Sequence, residues 1–194
     1  MNTRKLRKAI LTLCSALLLV SLSIGATLAY LTSTSEVVTN TFTAGNVTIT
    51  LDEAKVDEYG VSDANAARVT GNEYKLIPGR TYTKDPTVHV AAGSEDCWLF
   101  VKVENGLGED EDTIVTQMNT NGWTLVADET NVYAYKETVS AKENVVVFNT
   151  FTLDGDADVV NLTSAQIVIT AYAVQADGFT TAGAAWLAAP AWKN

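Results

Sequence analysis

Residues 46–52 alternate without interruption. Val47, Ile49 and Leu51 fall on one side, and Asn46, Thr48, Thr50 and Asp52 on the other. A strict period of two is the pattern of a strand with one dry and one wet face. It returns in Leu99, Val101 and Val103, with Trp98, Phe100, Lys102 and Glu104 opposite. Residues 145–153 and 167–174 are apolar on both faces, which predicts central strands. Residues 123–126 and 132–135 are shorter strand candidates, and Asn105-Gly106 and Asn121-Gly122 are turn signals. Helical spacing occurs twice. Residues 110–119 carry Ile114, Val115 and Met118 behind acidic residues in the first turn, where the helix dipole favours them. Residues 179–189 are Ala-rich, contain Trp186 and Leu187, and end at Pro190. The polar, weakly periodic stretch 52–72 reads as a loop or excursion. With no internal repeat and no alternation of strands with long helices, the expected fold is all-β: an antiparallel β-sandwich with two short helices.

The N-terminus carries a different signal. Arg4, Lys5, Arg7 and Lys8 form a basic cluster, followed by an uncharged run from Ala9 to Ser35 whose most apolar part is 10–22. Basic, apolar and small-residue regions in this order make a secretory signal. Thr27 and Ala29 take the −3 and −1 positions of a cut that leaves Tyr30 as the first mature residue. The competing reading is an uncleaved anchor over 10–31, since about 20 apolar residues span a bilayer. The polar drift after Leu22 and the Ser/Thr tract at 32–35 favour cleavage. Cys14 is read as part of the apolar region, because Leu13 stands where a lipoprotein signal wants a small residue. The expected layout is a cleaved signal at 1–29, an extended segment at 30–43 and one sandwich domain at 44–194.

Cleavage changes the charge. Removing those four basic residues leaves 9 of 13 against 23 acidic ones, a formal charge of −14 in place of −10. Such a surface repels nucleic acid and anionic lipid, so membrane contact is expected only before cleavage. Cys97 is then the only cysteine, so this exported fold forms no internal disulfide. Glu95 and Asp96 disfavour a thiolate, and Cys97 reads as a small buried hydrophobe.

Catalytic signals are weak, and the chain is read as not an enzyme. His89 is the sole histidine, in a strand-like setting, with no H-E-x-x-H and no G-x-S-x-G elbow nearby. No cofactor is expected except calcium. Asp154, Asp156 and Asp158 stand at alternate positions, as hard-oxygen ligands do in a calcium loop. The EF-hand pattern then fails at Val159 and Ala165, and the other reading is a solvated acidic turn. Asn46-Val47-Thr48 and Asn161-Leu162-Thr163 match the glycosylation triplet. Residues 30–43, YLTSTSEVVTNTFT, are rich in Thr, Val and aromatics and poor in charge, so they suit addition to a sheet edge. Donated to a neighbour, such a strand makes a head-to-tail filament, because that contact does not close. The alternative is an ordinary first strand with a frayed end.

Two stretches resemble the TasA/camelysin family. One runs Gly25-Ala26-Thr27-Leu28-Ala29-Tyr30-Leu31-Thr32 and continues at Asn40-Thr41-Phe42-Thr43-Ala44-Gly45-Asn46-Val47. The other, Leu76-Ile77-Pro78-Gly79-Arg80-Thr81-Tyr82-Thr83-Lys84, is similar to the family's L-x-P-G-x-x-x-x-K segment. The resemblance implies a Gram-positive exported protein, cut by a dedicated SipW-type signal peptidase. It implies a jelly-roll-like sandwich, secreted to the extracellular or surface matrix as a biofilm fibre subunit or accessory. The partners are then further copies or other matrix proteins, and the donor-strand candidates are Tyr30, Leu31, Thr32, Val37, Val38 and Thr39. A secreted, calcium-stabilised binding or adhesion module is the alternative. The metallopeptidase activity described for camelysin-like members is not carried over, for want of a recognisable zinc site.

Overall fold

In a computed structural model of the chain, the residues described are 46–107, 111–162 and 164–189. The alternating segment forms β1 (Ile49–Asp52), with Ile49 and Leu51 packed on the core and Thr50 exposed. The excursion expected over 52–72 begins after Asp52 and runs on to residue 80, tied down by isolated bridges at Glu53–Val69 and Val56–Ser62. The chain then makes β2 (Thr81–Thr83), β3 (Thr87–Val90) and the long β4 (Cys97–Asn105). After α1 (Glu111–Thr120) come β5 (Trp123–Leu125), β6 (Val132–Tyr135), β7 (Asn144–Val146), β8 (Thr150–Thr152) and β9 (Ile167–Gln175). A last helix, α2, spans Ala182–Ala188.

All the ladders are antiparallel. One sheet has the order β1-β3-β7, a second is the β2-β8 pair, and the third has the order β5-β6-β4-β9. The main core lies between the first two and the third. It joins Tyr82, Val88 and Phe151 to Leu99, Val101 and Tyr133, with Ile114 and Met118 of α1. The fold is therefore all-β and sandwich-like with two short helices, and the sheets do not close into a barrel.

β4 is buried on both faces because it serves two cores. Leu99, Val101 and Val103 enter the main one, while Trp98 and Phe100 join Val132, Ala134, Ala185 and Trp186 in a second. α2 covers this second core. Thr181 caps the helix by accepting a hydrogen bond from the Ala184 amide at 3.2 Å, which starts it later than the expected 179. The Trp186 ring lies 5.0 Å from that of Phe100, and its indole N–H donates to Glu129 Oε1 at 2.8 Å.

Two expected central strands turn out differently. Residues 145–153 are not one strand but β7 and β8, which belong to different sheets. The segment is apolar throughout because it crosses between sheets inside the core, with Val147 and Phe148 fully buried at the crossing. Gln117 of α1 fixes that corner, its Oε1 accepting from the amides of Asn149 and Thr150 and its Nε2 donating to the Thr150 carbonyl. Residues 167–174 form β9, which lies at the end of its sheet. Among the described residues it pairs with β4 alone.

Trp186→Ala uncovers Phe100 and empties the second core. It should cost about 3–5 kcal/mol, as large-to-small changes at buried aromatics do. Denaturant unfolding should show a lower midpoint at unchanged slope.

Candidate strand-acceptor groove

β9 is apolar on both faces, yet much of it is only half-buried. Ile167, Ile169, Ala171 and Ala173 pack against the main core, and Tyr172 and Val174 against the second. Val168, 42% exposed, points out. Across from β9 stands β1. The two strands approach each other but belong to different sheets. Between them lies a groove of about 860 Å³, walled by Leu51, Asp52 and Glu53 on one side and Ile167, Val168 and Ile169 on the other. Residues 70–74 form part of its rim, and Leu107, Phe151 and Leu162 give it an apolar lining. Among the described residues the second edge of β9 has no strand partner, and a strand edge beside apolar side chains is what an added strand needs: the edge supplies backbone partners and the lining supplies side-chain pockets.

One end of the groove is polar. Lys84 Nζ donates to Glu53 Oε2 at 2.6 Å, and Asn72 Nδ2 donates to Glu53 Oε1 at 3.0 Å. Glu53 is 3% exposed and Lys84 9%. Beside them Tyr74 stands edge-on to Phe151 and to Tyr82, whose rings stack on each other 5.0 Å apart. Burial and, secondarily, the Glu53 charge push the Tyr74 phenol well above its usual range. Tyr82 is fully buried, and its hydroxyl accepts from the Ile77 amide and donates to the Lys75 carbonyl. Gly60, at φ +78°, lies so close that an added Cβ would meet the Tyr82 Cα at 2.9 Å.

A second cluster holds the excursion across the ends of β1 and β3. Arg68 Nε donates to Asp52 Oδ1, its Nη1 to Asp85 Oδ2 at 2.9 Å, and its Nη2 to Thr87 Oγ1 at 2.9 Å. His89 bridges two strands through Nε2 to Asp52 Oδ1 and Nδ1 to Asn144 Oδ1, both at 2.7 Å. Both ring nitrogens are thus engaged in a strand-bracing role. Burial raises the Asp52 pKa, but the hydrogen bonds and charges of Arg68 and His89 outweigh it and hold the carboxyl below 3.8.

The other sequence candidates are placed as follows. Among the described residues no three His, Cys, Asp or Glu side chains are gathered so that they could hold a metal ion, and this includes Asp154, Asp156 and Asp158. The Asp158 carboxylate is used in a turn, accepting from the Val160 amide at 3.1 Å and from Asn161 Nδ2 at 2.8 Å. Cys97 is fully buried, and desolvation, helped by Asp96, pushes its thiol up to about 11. Thr27, Ala29, Tyr30, Leu31, Thr32, Val37, Val38 and Thr39 lie outside the described residues. Among the described residues no helix is long and apolar enough to cross a membrane. Sequence reasoning missed Glu53, Asn72 and Arg68, whose partners lie far along the chain; Lys84 alone stood in a recognised segment. No family model, curated protein or solved structure matches the chain.

The lowered Asp52 pKa gives stability a definite sign with pH. Its contribution is full above the unfolded value and is lost as pH falls through the lower folded one. Arg68→Ala removes the hydrogen bond that does most to lower it, so acid unfolding followed by tryptophan fluorescence should begin at higher pH than in the wild type. Superimposable acid limbs would contradict this assignment.

Proposed function

We propose that the protein is an exported structural subunit that assembles in an extracellular or surface matrix by β-strand addition. The observation that carries this reading is β9, a nine-residue strand apolar on both faces that has a described strand partner on one edge only, beside the groove against β1. The donor is the 30–43 tract of a second copy, released by signal cleavage. Contacts of that kind repeat head to tail and build a filament. The likeness of the signal region and of 76–84 to the TasA/camelysin family points the same way. The strand-bracing role of His89 supports a structural rather than a catalytic reading.

Two changes test the proposal by electron microscopy and light scattering of the mature protein. Deleting residues 30–39 removes the donor, and Val168→Lys places a charge on the acceptor edge at an exposed position. Each should abolish filaments while leaving the monomer's thermal midpoint within a few degrees, as expected of exposed or peripheral changes. Filaments formed equally by both variants, or absent from the wild type across salt and pH, would overturn strand addition.

A further inference from the structure

We infer that Lys84 and Asn72 are joined by an intramolecular isopeptide bond formed on Glu53. The three side chains meet at the polar end of the groove. Lys84 Nζ and Asn72 Nδ2 are bound to the two oxygens of one carboxylate, at 2.6 and 3.0 Å. The amide is held in one orientation: Nδ2 also donates to the Ala54 carbonyl at 2.8 Å, and Oδ1 accepts from the Val56 amide at 3.0 Å. Each of these contacts has a use in acyl transfer. Glu53 Oε2 takes a proton from the Lys84 ammonium across their hydrogen bond, leaving a free amine. The amine attacks Asn72 Cγ, and the negative charge that develops on Oδ1 is met by the Val56 N–H. The Glu53 carboxyl then supplies the proton on which Nδ2 departs. The Nζ–Cγ bond forms and the Cγ–Nδ2 bond breaks. Two protons pass in all from Nζ to the leaving nitrogen, so an ammonium ion leaves and an amide N–H remains. No oxidant, metal or cofactor takes part.

The surroundings fit. Glu53 and Lys84 are buried, and Leu51, Tyr74, Pro86 and Phe151 line the same space, which limits the water that competes for the amide. A covalent clamp also suits the chain's chemistry. An exported fold with one cysteine after residue 29 has no disulfide to brace it, and this link would close the loop that carries residues 73–83. The inference does not depend on strand addition.

Peptide mapping of the full secreted protein reads the bond directly. Trypsin does not cut after an acylated lysine, so Lys84 should appear within fragment 81–102, joined to fragment 69–75 and lighter than the two together by one ammonia. Asn72→Ala, Lys84→Arg and Glu53→Gln should each give the unlinked fragments. Recovery from folded wild-type protein of 69–75 unlinked and of Lys84 freely cleaved would overturn the inference, and needs no variant to fold. A linked species that survives in Asn72→Ala would overturn it as well.

Discussion

The ladder between β4 and β9 is the constraint on which the rest of the structure depends. Nine residue pairs, from Cys97–Gln175 to Asn105–Ile167, fix two strands distant in sequence in one register. A shift of one residue would turn Leu99, Val101 and Val103 away from the main core and send Trp98 and Phe100 into it. Because β4 is dry on both faces over residues 97–101, its register decides both packing layers together: the sandwich on one side and the α2 cover on the other. The same ladder puts β9 at the end of its sheet among the described residues, and so sets one wall of the groove.

How much of this was legible in the sequence varies from element to element. The alternation at 46–52 and the Ile114–Val115–Met118 spacing are legible because each reports a local period: the strand spans Ile49–Asp52, and Val47, Ile49 and Leu51 pack half-buried on the main core, while the helix buries Ile114 and Met118 in it. Residues 145–153 misled because an apolar run has no period to read. It can be a central strand or a passage through a core, and the deciding contacts come from Gln117, some thirty residues away. β9 misled for a related reason. Its two apolar faces reflect two cores, which composition cannot distinguish from two flanking strands. The polar end of the groove left still less trace. Glu53, Asn72 and Lys84 are separated by 19 and 31 positions from the shared carboxylate outward, and no motif spans such distances. In the sequence Lys84 stands out only as the end of the L-x-P-G-x-x-x-x-K segment, which says nothing of its chemistry.

The groove combines two kinds of surface with different tasks. In the proposed assembly its apolar lining and the strand edge would take up an extended segment of suitable shape, since backbone hydrogen bonding is indifferent to sequence. The Glu53 cluster does the opposite, tying Glu53 just after β1 to Asn72 of the excursion and to Lys84 just after β2 in one corner. Arg68 extends that corner through Asp52, Asp85 and Thr87, so the wall contributed by β1 is held from both its faces. Walls held by such contacts would lower the ordering cost of adding a strand, because chiefly the incoming segment would lose freedom.

Amide hydrogen exchange tests the acceptor role of β9 most directly. The mature protein lacking residues 30–39 is compared with and without an added peptide of residues 30–43. Strand addition predicts that protection rises along 167–175 and at 51–53, with little change at β5 and β6. Exchange along β9 that is unaltered by the peptide, or protection that rises elsewhere, would contradict it.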